Sequence, residues 1–123
     1  MYFFKTTLFS MLLLNTYIGL SASGIHQDVL KQLHLPQGFT ISVYADNVPN
    51  ARSLALGDDG VVYVGTGSAG KVYAVQDNDK DGLAERHYVI ASELTMPNGV
   101  AYKDGALYVG EISRIIRLSL IHI

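Results

Sequence analysis

Asp77, Asp79 and Asp81 stand at alternate positions in Gln76-Asp77-Asn78-Asp79-Lys80-Asp81-Gly82-Leu83-Ala84-Glu85, and Gly82 follows the last of them. Carboxylates at this spacing offer oxygens to one side of a loop, and the glycine permits the sharp turn that closes it around a hard cation. Ca2+ is the ion that such an all-oxygen set suits. In register with a helix-loop-helix calcium loop, the Leu83 carbonyl and Glu85 join the set, giving Asp77, Asp79, Asp81, Leu83 and Glu85 as candidate ligands. The twelfth position of that register is Tyr88, where a bidentate Glu belongs. The flanks also alternate as strands do, so this is not an EF-hand. The alternative reading is a solvated Asp-rich turn.

The elements that must hold this loop repeat. Asp59-Gly60-Val61-Val62-Tyr63-Val64-Gly65 matches Asp104-Gly105-Ala106-Leu107-Tyr108-Val109-Gly110 at an offset of 45 residues. Upstream, Arg52-Ser53-Leu54-Ala55-Leu56 corresponds to Asn98-Gly99-Val100-Ala101-Tyr102 at 46, and downstream Lys71-Val72-Tyr73-Ala74-Val75 corresponds to Arg114-Ile115-Ile116-Arg117-Leu118 at 43. Period-2 alternation and Asp-Gly turns make these segments strands and exclude helical solenoids. Residues 53–57, 61–65, 71–75 and 86–91 form one four-stranded unit; 98–102, 106–110 and 114–118 form three strands of a second. Four strands at this period make a β-propeller blade. The fold class is therefore all-β, with a partial propeller over 39–118.

Antiparallel strands sort the loops between two ends. Arg52 and Asn98, just before the first strand of each unit, share one end with Thr66, Ser68, Glu111, Ser113 and Arg114. The Asp-Gly turns and the acidic loop lie at the other. Arg52, Asn98, Glu111 and Arg114 are thus candidate cofactor or substrate contacts at a channel mouth, where Arg would take a carboxylate and Asn would orient a substrate or ligate a cation. Ordinary loop hydrogen bonding is an equal reading for Arg52 and Asn98, and an exposed rim carboxylate is the more frequent case for Glu111. The metal loop, remote from that mouth, has a structural role. No nucleophile–base constellation is complete.

The N-terminal region reads as three parts. Residues 1–23 carry Lys5, an apolar run from Leu8 to Leu20 and the small residues Ser21-Ala22-Ser23, a pattern that resembles a secretory signal. The run falls short of the roughly 20 apolar residues a spanning helix needs, so no membrane span is expected once it is removed. The expected location is the periplasm or outside the cell. Residues 24–38 hold a short helix, His26 to His34, and a turn at Pro36-Gln37-Gly38. Phe39-Thr40-Ile41-Ser42-Val43-Tyr44-Ala45 alternates as a strand and is placed to close a propeller ring on its last blade. At the other end, 119–123 lack turn punctuation; the chain reads as an N-terminal fragment or as one whose frame changes near Ser119. The 123 residues carry a net charge of −2 and no cysteine. With no basic stripe, no nucleic-acid partner is expected, and disulfide, thiolate-metal and Cys-nucleophile chemistry is excluded.

Leu35-Pro36-Gln37-Gly38-Phe39, Ala51-Arg52-Ser53-Leu54-Ala55-Leu56, Val64-Gly65-Thr66, Gly70-Lys71-Val72-Tyr73-Ala74-Val75, the Asp77–Gly82 loop, Met96-Pro97-Asn98-Gly99-Val100-Ala101, Gly105-Ala106-Leu107-Tyr108-Val109 and Ser113-Arg114-Ile115-Ile116-Arg117 follow one another in an order and spacing. Together they resemble the opening of the glucose/sorbosone dehydrogenase family, in particular its sorbosone dehydrogenase-like branch. The resemblance implies a six-bladed propeller that oxidises a sugar or sugar aldehyde with pyrroloquinoline quinone (PQQ) and uses calcium. It supplies no match here for the family's catalytic His, and it leaves the electron acceptor unknown. Two other readings stay open: a gluconolactonase-like, metal-dependent lactone hydrolase with Asn98 as a ligand, and a non-catalytic propeller that binds a partner at its mouth.

Overall fold

The computed structural model of the protein describes residues 28–120. The apolar run and small residues of 1–23, His26, and Ile121 to Ile123 lie outside the described residues. Seven strands follow in chain order: β1 Ala51–Leu56, β2 Val62–Thr66, β3 Val72–Gln76, β4 Arg86–Ala91, β5 Gly99–Lys103, β6 Ala106–Gly110 and β7 Ile115–Ser119. They make two antiparallel sheets, β1-β2-β3-β4 and β5-β6-β7, each a meander of neighbouring strands. The positions expected from the alternation agree with these strands to within two residues at either end.

Pairing assigns every side chain to a face. In the first sheet Ala55, Tyr63, Ala74 and Tyr88 lie in one row across the strands, and Leu54, Val64, Tyr73 and Val89 in the row behind it. In the second sheet Ala101, Tyr108 and Arg117 share one face, while Val100, Val109 and Ile116, and Tyr102, Leu107 and Leu118, share the other. The repeat makes the first row of each sheet equivalent; we term that face the front and its reverse the back.

The front of the first sheet packs on the back of the second. Tyr63, Val72 and Ala74 meet Leu107 and Val109 in one cluster, which Ala55, Val100, Tyr102, Ile116 and Leu118 extend. Val72, Leu107 and Val109 are fully buried there. Tyr63 and Tyr102 stack with centroids 5.8 Å apart, and the Tyr102 hydroxyl donates to Asp58 Oδ2 at 2.8 Å, tying the β1–β2 turn to the neighbouring sheet. The close approach needs Gly65: a Cβ there would stand 2.5 Å from the Pro97 carbonyl oxygen and 2.7 Å from that of Asn98.

A second cluster lies on the back of the first sheet, where Tyr44, Ala45 and Val48 cover Val64, Tyr73 and Val75. The chain from Phe39 to Ala45 forms no strand, contrary to its alternation. It pairs with none of the outer strands β1, β4, β5 and β7, and its end at Tyr44 and Ala45 packs across the back face of the first sheet instead. Phe39 and Ile41 are exposed, and the segment is held through Tyr44, whose carbonyl accepts from the Ala84 N–H at 2.7 Å. Of the expected His26–His34 helix, residues 28–30 are helical and a turn follows. The expected break at Leu118 is also one residue early, since Ser119 pairs with Ala106 and the Leu120 N–H donates to the Gly105 carbonyl.

Two equivalent glycines give a direct check on the packing. Gly65→Ala is expected to destabilise the chain by about 1–3 kcal/mol through the clash with Pro97 and Asn98. Gly110→Ala, where a Cβ meets only Gly99 at 3.8 Å, should stay within about 0.5 kcal/mol of the parent. Urea unfolding of the two variants measures both, and equal losses would contradict the assignment of faces.

Candidate metal centre and the opposite loop end

The nine residues from Asp77 to Glu85 join β3 to β4, and their carboxylates are drawn inward by backbone donors. Asp77 accepts from the Lys80 N–H at 2.7 Å and from the Gly82 N–H at 3.0 Å, so both of its oxygens help to shape the turn. Asp79 Oδ1 accepts from the Asp81 N–H, Asp81 Oδ1 from the Leu83 N–H at 2.8 Å, and Glu85 Oε2 from the Asn78 N–H at 2.9 Å. Gly82, at φ +89, and Lys80, at φ 61, supply the left-handed turns that fold the loop back on itself. One oxygen from each of Asp77, Asp79, Asp81 and Glu85 lies within 4.8 Å of the others. Leu83 joins the loop through its N–H, and its side chain is half exposed.

Four carboxylates so close repel one another, and Asp79 registers it. The Asp81 N–H draws its pKa down, but desolvation, the charges of Asp81 and Glu85 and a hydrogen bond with Glu85 outweigh that donor, so the value is raised. The Tyr44 phenol is also raised, by burial first and then by the charges of Asp77 and Glu85, which places the covering segment beside the same loop. A divalent cation would relieve this repulsion, and the all-oxygen donor set is of the kind calcium takes.

At the other end of the sheets, the loops before β1, between β2 and β3, between β4 and β5, and between β6 and β7 are laced together. The Gly67 N–H donates to the Asn50 carbonyl, the Leu94 N–H to the Gly70 carbonyl, and the Ile112 N–H to the Thr95 carbonyl. Glu111 is a clasp in this lacing. Its Oε1 accepts from the Thr95 N–H at 2.6 Å and its Oε2 from Arg114 Nε, with the Glu111 side chain only 1% exposed. The Arg114 hydrogen bond and then the Thr95 N–H hold its carboxyl below the usual range. Glu111 and Arg114 are thus brought together, but on each other.

Arg52 and Asn98 differ from that pair. Both are exposed, and neither side chain has a hydrogen bond or ion pair among the described residues. The Arg52 stem passes Gly67, and Asn98 is fixed through its backbone N–H to the Met96 carbonyl at 2.7 Å. Thr66 is fully buried and spends its hydroxyl on Lys71, so it faces no mouth. Two contributors lacked a sequence signal strong enough to single them out. Asn50, at φ 64, accepts from the Ser68 hydroxyl at 2.9 Å, and its place after Pro49 was the available hint. Tyr44, beside the acidic loop, belonged to a segment read as a strand.

No family model matches the chain, and no solved structure matches it. A protein of Borreliella burgdorferi described as uncharacterized is 29% identical over 90 residues, covering 72% of this chain. The chain spans about a fifth of that relative's length, the matched part being 22% of it.

Because the Glu111 carboxyl is held below its ordinary value of 4.5, its share of stability is present above that value and lost as the pH falls through the folded one. Glu111→Gln should therefore be less stable than the parent near neutral pH, with the difference shrinking as the pH is lowered toward about 3. Urea midpoints measured across that range check this. A difference that stays constant with pH would show that the charge of Glu111 is immaterial.

Proposed function

We propose that the chain is a calcium-stiffened pair of propeller blades from the start of an exported, quinone-dependent sugar or sugar-aldehyde dehydrogenase. The observation that carries the blade reading is the repeat register. Equivalent rows of the two sheets face the same way, and the front of one packs on the back of the next, as successive blades must around an axis. The calcium reading rests on the four carboxylates gathered within 4.8 Å. The dehydrogenase reading rests on the family resemblance, and the fold is compatible with it.

In this reading the Asp77–Glu85 loop is a clamp on the sheet and on residues 44–48, and takes no part in oxidation. Its position at the end away from Arg52 and Asn98 supports that division. The quinone named by the resemblance carries carboxylates, and Arg52, like Lys71 in the β2–β3 loop, is a cation at the opposite end whose side chain has no partner among the described residues. Arg114 is engaged by Glu111, and His87 stands on β4 beside Tyr73, with ring centroids 6.4 Å apart. These residues fit one anchoring contact and do not amount to a quinone pocket, so no catalytic step is assigned to them. A lactonase-type metal site at that end has less support, because both Glu111 oxygens are already taken.

Calcium titration of the purified chain tests the clamp. Millimolar calcium should raise the melting midpoint, in the range of about 0.1–1 mM affinity that extracellular sites show. Binding should weaken as the pH falls, because the raised Asp79 carboxyl keeps its proton into a higher range and the cation must displace it. Asp81→Asn should weaken binding at least about tenfold. Neither heat nor a midpoint shift at about 10 mM calcium would sink the clamp. The dehydrogenase reading is tested on the longer parent protein: no quinone-dependent oxidation of an aldose or sugar aldehyde by it, with calcium bound, would remove that reading and leave the clamp standing.

A further inference from the structure

A cavity lies on the seam between the two sheets, at the end that carries the Asp-Gly turns. The β1–β2 turn gives it Asp58 and Asp59, β2 gives Tyr63, the end of β3 gives Gln76, and Tyr102 of β5 walls it from the second sheet. Its volume is about 170 Å³, below the roughly 300 Å³ at which sites begin to take drug-sized ligands, so it suits a head group and not a whole cofactor. The carboxylates of the Asp77–Glu85 loop form a separate group. No third carboxylate or imidazole gathers with Asp58 and Asp59 among the described residues, so this is not a second metal cage.

The polar groups of this cavity are open. Tyr63 is 6% exposed, yet its hydroxyl has no hydrogen bond among the described residues. Gly57 makes room for that end of the ring: a Cβ there would stand 2.8 Å from Tyr63 Cε2 and 3.6 Å from Cζ, so the hydroxyl lies at the start of the Asp58–Asp59 turn. The Asp59 carboxylate and the Gln76 amide have no hydrogen bond or ion pair among the described residues, and Asp58 commits only Oδ2, to Tyr102. A polar atom on a side chain buried this deeply, with no partner in the protein, has to find one in the cavity. The charge there is negative, because Lys103 in the adjoining turn pairs with Asp104, at 4.0 Å, and with neither Asp58 nor Asp59. Burial, then the charges of Asp59 and Asp58, raise the Tyr63 pKa, and the hydrogen bond to Asp58 raises that of Tyr102, so both phenols stay neutral beside the carboxylates.

We propose that this cavity binds a guanidinium group, with Asp58 and Asp59 neutralising its charge and the Tyr63 oxygen and Gln76 carbonyl taking its remaining N–H donors. The set consists of acceptors: Asp58 Oδ1, the Asp59 carboxylate, the Gln76 carbonyl and the Tyr63 oxygen. A guanidinium matches it with five N–H donors in one plane, where an ammonium has three. Its delocalised charge pairs with carboxylates through two parallel hydrogen bonds and also favours aromatic rings. The group belongs either to a free guanidino compound or to an arginine of a partner chain. The inference uses the seam between the sheets alone and is independent of calcium, quinone and sugar.

Ethylguanidinium titrated into the purified full chain tests this, with the ring signals of Tyr63 and Tyr102 and the side-chain amide of Gln76 followed by nuclear magnetic resonance. Saturable shifts of these signals are expected, with a Kd of about 1 mM for so small a head group. Asp59→Asn should weaken binding about tenfold or more, and Tyr63→Phe about threefold to tenfold. Neither variant touches the Asp58–Tyr102 hydrogen bond or the stacked rings, so both should keep the parent's circular dichroism. Asp104→Asn, in the adjoining turn, should bind as the parent does. Signals that stay in place up to about 50 mM ethylguanidinium overturn the proposal. An equal loss in Asp104→Asn also overturns it, since that reports a diffuse acidic field, and so does ethylammonium binding as tightly as ethylguanidinium. The peptide Gly-Arg-Gly separates the two sources: binding at least as tight as that of ethylguanidinium assigns the site to an arginine of a partner chain, and exclusion of the peptide while ethylguanidinium binds assigns it to a free guanidino compound.

Discussion

The structure depends on one contact, the seating of Leu107 and Val109 against Tyr63, Val72 and Ala74. Neither sheet buries both of its faces by itself, and a three-stranded antiparallel sheet keeps its order by covering one face with apolar neighbours. The seating fixes which face of each strand is inside. A one-residue slip in β6 would turn Leu107 and Val109 outward and bring Tyr108 in, so the burial of these two residues selects the register. The Asp58–Tyr102 hydrogen bond and the Gly65 approach follow from it, because both span the same junction.

Once the strands are in register, the loops divide between the two ends without further instruction. The acidic loop falls at one end, beside the covering segment around Tyr44. Arg52 and Asn98 fall at the other, within a set of loops tied by backbone hydrogen bonds and by Glu111. Glu111 shows how a polar residue at a sheet end serves the fold before it serves a ligand. Its two oxygens close the distance between the β4–β5 and β6–β7 loops, and Arg114 neutralises the charge that this buries.

The strands were legible because each carries period-2 alternation bounded by Gly or Asp-Gly, signals that act within a few residues. Their equivalence was legible because the Tyr-Val-Gly run recurs. The acidic cluster was legible too, since alternate carboxylates before Gly82 can fold together with local hydrogen bonds alone. Phe39–Ala45 alternates but forms no strand here: alternation shows that a segment has two unlike faces, and packing its end at Tyr44 and Ala45 on the face of the first sheet uses that difference without ladder pairing. The roles of Glu111 and Arg114 were hidden because each depends on a partner brought up by a loop closure, Thr95 sixteen residues away in the first case. Thr66 looked like a mouth residue by position and proved to be a buried brace for the β2–β3 loop.

The central claim is that the front of the first sheet meets the back of the second. Methyl and aromatic nuclear Overhauser contacts in the purified chain address it most directly. The account predicts cross-peaks from the Leu107 and Val109 methyls to Val72, Ala74 and the Tyr63 ring, and none from them to Val64 or Val75. Contacts to Val64 and Val75 in place of the first set would mean that the sheets meet by the opposite face, and the stacking order, the loop ends and the cavity on the seam would fall together.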